Sequence, residues 1–197
     1  GNLDSISASD VLGLLDELPA FAADGSGNGL VVWQRSAGCF QCSLPVPILG
    51  QRVDASGAEV GASNFAIAIG NAPRVAHGAG NDEWLVAYRN GTSIERVRIG
   101  SGGAVADAAV TVASGASAGP AVAYNPDRDE YLVVWQAFDA TVGRQQILGR
   151  RLDADGFPIG SVLAISRDPA FDYASATAPF DGNVFDPDVA YDSSSQQ

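Results

Sequence analysis

The sequence predicts an all-β chain, an array of four-stranded antiparallel units in which three are complete and a fourth is begun. Three observations carry this reading. A pentad of the form Pro-x-(Val/Phe)-Ala-x opens at Pro19-Ala20-Phe21-Ala22-Ala23 and returns at Pro73-Arg74-Val75-Ala76-His77, Pro120-Ala121-Val122-Ala123-Tyr124 and Pro187-Asp188-Val189-Ala190-Tyr191. An apolar run follows the first three openings, as Leu30-Val31-Val32-Trp33, Leu85-Val86-Ala87-Tyr88 and Leu132-Val133-Val134-Trp135. A third run then ends in a glycine turn: Gly50 to Gly57, Glu95 to Gly103 and Gly149 to Gly156.

Within each unit the pentad is the first strand, and it ends in a short Gly, Asp or Asn turn. The second strand is apolar at consecutive positions, as in Tyr131-Leu132-Val133-Val134-Trp135. Such a strand has to be covered on both faces. The third is broken by Arg52, Arg96, Arg98, Arg150 and Arg151, which is expected of a strand near an outer rim where long side chains reach water. Apolar runs from Phe65 to Ile69, Val110 to Ala113 and Val162 to Ile165 close the units as fourth strands.

The openings at 19, 73, 120 and 187 give periods of 54, 47 and 67 residues. A solenoid coil of roughly 20–29 residues is far shorter, whereas propeller blades run to roughly 40–50. The chain therefore divides into an N-terminal extension over 1–18, blades over 19–72, 73–119 and 120–166, a long insertion over 167–186, and the start of a fourth blade over 187–197. In the extension Val11, Leu14, Leu15 and Leu18 fall at helical spacing behind Ser9 or Asp10, which predicts a short helix; the last strand of a preceding blade is the competing reading.

The fullest copy runs from Pro120-Ala121-Val122-Ala123-Tyr124-Asn125 through Tyr131-Leu132-Val133-Val134-Trp135 to Gly149-Arg150-Arg151-Leu152-Asp153-Ala154-Asp155-Gly156. It resembles the tandem repeat of large secreted bacterial proteins of the β-propeller type. The resemblance implies a propeller-like array exported to the cell surface or beyond, and it implies no particular activity, since propellers host enzymes, lectins and scaffolds alike. A propeller needs roughly four to eight blades to close. Three blades and a stump predict an incomplete propeller, finished by the remaining blades of a larger protein or by other protein chains. The absence of methionine, even at position 1, points the same way, to a processed segment.

Composition narrows the partners. The formal net charge is −12 and all 11 basic residues are arginine, so nucleic acid is excluded as an expected partner. No apolar run approaches the roughly 20 residues of a membrane span, so no direct membrane insertion is expected.

Several constellations invite chemistry. Cys39-Phe40-Gln41-Cys42 holds the only cysteines, in a loop with Pro45 and Pro47 behind it. A haem site would need His at position 43, where Ser43 stands, and zinc would need two further ligands. A Cys39–Cys42 disulfide in an oxidising compartment is the expectation. His77, the single histidine, occupies the position of Tyr124 and Tyr191 and reads as a packing residue. Asp153 and Asp155 begin like a calcium loop, as do Asp127 and Asp129, yet the equivalent turns keep the glycine and lose the acids, which favours hairpin turns over calcium. No other cofactor is expected. Asn90-Gly91-Thr92 matches a glycosylation sequon and is also a strong hairpin signal; it is read as a turn.

The insertion interleaves Phe171, Tyr173, Phe180 and Phe185 with Asp172, Asp181 and Asp186. Aromatics and carboxylates on one loop suit sugar rings or a protein partner, so Phe171, Asp172, Tyr173, Phe180, Asp181 and Phe185 are the candidate binding residues. In a meander the long connections, Cys39–Cys42, Ala137 to Gln146 and 167–186, emerge on one face. With no catalytic signature present, the leading expectation is a non-enzymatic extracellular scaffold, adhesion or assembly subunit. The alternative is a carbohydrate-binding, lectin-like propeller, with a propeller glycoside hydrolase third.

Overall fold

The computed structural model describes residues 14–37, 46–140, 144–166 and 187–192. Eleven antiparallel strands and no helix occur among them. Blade 1 is formed by β1 (Leu14–Ala23), β2 (Gly29–Ala37), β3 (Val46–Val53) and the first half of β4 (Glu59–Gly78). Blade 2 takes the second half of β4, then β5 (Glu83–Asn90), β6 (Ser93–Gly100) and β7 (Val110–Ser114). Blade 3 is β8 (Ala116–Asn125), β9 (Glu130–Asp139), β10 (Arg144–Leu152) and β11 (Pro158–Ala164). The chain is thus an all-β, propeller-like array of four-stranded meanders.

Leu14–Leu18 lies in β1 and not in a helix, and pairs with the end of β2. The apolar spacing that suggested a helix is an artefact of a bulge. Leu18 has φ 52°, and the pairing of β1 with β2 slips between Glu17 and Ala20, which resets the period-two alternation. The same slip recurs between Asn71 and Arg74, where Ala72 has φ 51°, and a larger one, four residues against two, lies between Ala116 and Pro120. Each bulge spans the proline that opens the repeat. Proline has no N–H to give the ladder, so the bulge carries the strand past it.

The second strands are buried on both sides, as their sequence requires. Leu30, Val32 and Ile48 of blade 1 pack against Val75, Trp84, Val86, Tyr88, Val97 and Ile99 of blade 2. Leu85, Ala87 and Ile94 from the opposite side of blade 2 pack against Tyr131, Val133, Trp135 and Leu152 of blade 3. In blades 2 and 3 the first aromatic of the second strand reaches the inner strand of the blade before it. The Trp84 Nε1–H donates to the Ala22 carbonyl at 3.2 Å, and the Tyr131 hydroxyl lies where a Cβ on Gly78 would stand.

Turns at one end of the array repeat in detail. The Gly57, Gly103 and Gly156 N–H groups donate to Asp54, Gly100 and Asp153 carbonyls at 2.7–2.8 Å. All three glycines have φ between 75° and 86°, a left-handed turn position that L side chains rarely adopt. At the other end, Gly91 and Thr92 form the two-residue connection between paired Asn90 and Ser93.

The arginines depart from the expected rim. Arg96 is fully buried. Its guanidinium donates to the Gly156 carbonyl at 2.8 Å, the Asp155 carbonyl at 3.0 Å and the Asp107 carboxylate, and lies 4.9 Å from the Phe157 ring. Arg98 bridges Glu83, Asp107 and Asp155 at 2.9–3.1 Å. These bonds tie blade 2 to the last turn of blade 3. The Asp107 carboxyl is held below the usual carboxylate range: burial alone would raise it, but hydrogen bonds from Arg96 and Arg98 outweigh that.

Two outcomes follow for stability. Gly78→Ala forces a methyl onto the Tyr131 ring and lowers unfolding free energy by about 2 kcal/mol; adding Tyr131→Phe recovers part of the loss, as read by urea unfolding. A carboxyl depressed by folding contributes stability above its unfolded pKa of about 4, and that contribution disappears as pH falls through the lower folded value. Asp107→Asn therefore costs about 3 kcal/mol at pH 7, and its gap from the parent narrows when unfolding is repeated at pH 3.

Candidate functional site

The candidate residues Phe171, Asp172, Tyr173, Phe180, Asp181 and Phe185 lie outside the described residues, as do Cys39 and Cys42. The acidic turn residues are described, and each carboxylate has a protein partner. Asp153 accepts the Phe157 N–H at 2.7 Å. Asp155 accepts from Arg98 at 2.9 Å and from the Asn81 amide at 3.2 Å. The Tyr124 hydroxyl donates to Asp129 at 2.5 Å, and the Tyr191 hydroxyl to Asp127. Asp24 and Asp54 likewise accept backbone N–H groups of their own turns and sit below the usual carboxylate range, chiefly through Asn28 and Ser56 respectively. Among the described residues no group of three or more His, Cys, Asp or Glu is placed to hold a metal ion.

His77 is a packing residue with one polar contact. Its ring meets Trp84 edge-on at 5.3 Å and its Nε2 lies 3.2 Å from Asp82. Tyr124 repeats the arrangement in blade 3, against Tyr131 at 5.0 Å and Asp129. Asp82 and Asp129 share a positive φ of 53° and 52°. The Tyr124 hydroxyl also accepts the Gly80 N–H at 3.1 Å, linking blade 3 to the turn of blade 2. Tyr191 reaches Asp127, the residue that stands in blade 3 where Gly80 stands in blade 2. The Tyr191 hydroxyl thus meets the turn of blade 3 at the position where Tyr124 meets the turn of blade 2.

The opposite end of the array, where second strands turn into third strands, gathers polar side chains. Gln34, Ser36, Asn71, Gln136 and Gln146 are all buried there. The Gln34 amide donates to Glu17 at 3.1 Å and its Oε1 accepts the Ala72 N–H at 2.9 Å, joining blades 1 and 2. Arg89 stands at the equivalent position of β5 and donates to the Ser117 carbonyl at 3.0 Å, joining blades 2 and 3. The Ser117 hydroxyl lies 2.8 Å from Gln145 Oε1 and 3.1 Å from the Gln136 carbonyl. Gln145 pairs across the ladder with Phe138, so the two side chains share a face.

Phe138 is 58% exposed and Gln145 is exposed beside it. An aromatic ring, an amide, a hydroxyl and a guanidinium thus form one connected surface on blades 2 and 3. Sequence reasoning placed the stretch from Ala137 to Gln146 on the loop-bearing face but singled out none of these residues. The signal present was Phe138 following a strand already closed by Trp135, where a core no longer needs an aromatic.

No family model matches the sequence, and no curated protein matches it. A solved structure of a native arabinanase from Bacillus subtilis is similar in fold, with a TM-score of 0.47 and 15% sequence identity, over 84% of this chain and 60% of the arabinanase chain. This chain spans about 60% of that structure's length. The structure reached is that of an enzyme, and the expectation of a non-enzymatic scaffold, adhesion or assembly subunit is corrected accordingly.

Proposed function

We propose that the chain binds carbohydrate through the end of the array that carries Phe138, Gln145, Ser117 and Arg89. The observation that carries this reading is the exposed Phe138 ring paired with exposed Gln145. A sugar presents a face of C–H groups and an equator of hydroxyls. The ring accepts the first, while a side-chain amide and a guanidinium supply donors and an acceptor for the second. The Ser117 hydroxyl holds the Gln145 amide oxygen, and Arg89 is anchored on the Ser117 carbonyl, so the polar groups are oriented before a ligand arrives.

The chemistry is suited to a neutral chain better than to an anionic one, because the surrounding protein carries a net charge of −12.

The deciding measurement is a glycan array followed by calorimetry on the best ligand. Phe138→Ala weakens the interaction about tenfold, equivalent to about 1.4 kcal/mol, without lowering the unfolding midpoint, since the ring is exposed. Absence of retention on the array, or retention unchanged in the variant, overturns the reading. Release of reducing sugar from a retained polysaccharide would make the surface hydrolytic as well as binding.

A further inference from the structure

One position breaks the repeat in a way that the fold does not require. In blade 1 Trp33 pairs across the ladder with Leu49, and in blade 3 Trp135 pairs with Leu148. Leu148 packs against the apolar core between blades 2 and 3. In blade 2 the same pair is Tyr88 with Glu95. A polar pair has replaced an apolar one at an interface between blades.

Glu95 alternates along β6 with Ile94 and Arg96 and so shares its face with Val97 and Ile99, both in the core between blades 1 and 2. Its carboxylate accepts the Tyr88 hydroxyl at 3.0 Å and the Asn90 amide at 3.3 Å, both neutral donors. Burial, then the Glu95 charge, pushes the Tyr88 hydroxyl well above the ordinary phenol range, so it remains the donor. Among the described residues no arginine pairs with Glu95, although Asp16, Glu83, Asp107 and Glu130 are each paired with one.

A cleft of about 400 Å³ opens over this carboxylate, walled by Ile67 and Ile69 from blade 1 and by Val105, Ala108 and Asp107 from blade 2, the last already paired with Arg96 and Arg98. Ile69 and Val105 are about half exposed, at 55% and 43%. Ligand sites of this volume combine apolar walls with a few fixed polar groups. An anion left without a counter-charge against such walls is stabilised most by a cation that brings its own apolar stem.

We propose that the Glu95 cleft between blades 1 and 2 is a binding site for an organic cation, an alkylammonium or alkylguanidinium group, free or as a lysine or arginine side chain. The Glu95 carboxylate receives the charged head, and Ile67, Ile69 and Val105 enclose the stem. Tyr88 and Asn90 fix the carboxylate in place. The site is separate from the Phe138 surface and rests on none of its residues.

The test is a titration of the isotope-labelled chain followed by amide chemical shifts at low salt, with n-butylamine and n-butylguanidinium as probes and n-butanol as the uncharged control. Saturable shifts at Glu95, Val97 and Val105 with both cations and not with butanol are expected. Glu95→Gln preserves an acceptor for Tyr88 and Asn90 and removes the charge, and it weakens both cations at least tenfold. Should that variant fold poorly, Ala108→Phe fills the cleft from its outer wall with Glu95 intact and abolishes the shifts. A Val-Lys-Val peptide titrated alongside separates the two sources, binding more tightly than butylamine if the ligand is a side chain and no better if it is a free amine. Shifts of equal size with butanol, no saturation with either cation, or full binding by Glu95→Gln overturns the proposal.

Discussion

The second strand of each blade has no polar face, and everything else in the array answers to that. Leu85 and Ala87 look one way and Trp84, Val86 and Tyr88 the other, so a single sheet leaves one side wet whichever way it turns. Full burial of each large side chain is worth about 1.5–3 kcal/mol, and neither side can be given up. The blades must therefore stack face to face, and the stack must keep a fixed register. Trp84 on Ala22 and Tyr131 over Gly78 set it. Only a residue without a side chain admits the Tyr131 ring at that distance, which explains a glycine at the end of an inner strand whose equivalent in blade 3 is Asn125.

Once that stacking is fixed, departures from the repeat acquire meaning. A position that faces a neighbouring blade is under the same packing demand in every copy. Trp33 with Leu49 and Trp135 with Leu148 meet the demand in the ordinary way. In blade 2 Tyr88 keeps its place in the core, but its partner Glu95 sets a half-buried charge where the other copies have leucine, at a cost that neutral hydrogen bonds reduce but do not cancel. Local inconsistency of this kind collects at functional sites. By the same reasoning Phe138 is informative because it lies beyond the part of β9 that the core uses.

Much of this could be read in the residues beforehand. The proline spacing, the doubly apolar second strands and the glycine turns fixed the meander and its order, because each reflects a local demand of backbone or burial. The Leu14–Leu18 segment misled because its apolar spacing satisfies both periods, and only the left-handed Leu18 reveals the bulge that separates them. At the acidic turns calcium stays the weaker alternative to a hairpin in any sequence reading, because a carboxylate that caps its own backbone and one that awaits an ion look alike in sequence. Neither Phe138 with Gln145 nor Tyr88 with Glu95 is adjacent in the chain, so both pairs appear only when the ladder register is known. The interleaved aromatics of 167–186 remain a sequence observation.

The same register explains why the basic residues are arginine. Arg52 donates to the Gly102 carbonyl, Arg89 to Ser117, Arg96 to Asp155 and Gly156, and Arg150 to Val112. Every one of these bonds crosses from one blade to the next and ends on a backbone oxygen. An ammonium would bring a compact, strongly hydrated charge that is costly to bury, whereas a guanidinium is weakly hydrated and can address two oxygens at once. Arg96 does so while wholly buried. These four arginines thus hold blades together, while Arg35 and Arg151 pair within their own blades with Asp16 and Glu130, and across the sequence acids outnumber bases by 23 to 11. A propeller-like array with a net charge of −12 meets neutral and cationic ligands on favourable terms and repels anionic ones, which is the electrostatic setting that both the Phe138 surface and the Glu95 cleft exploit.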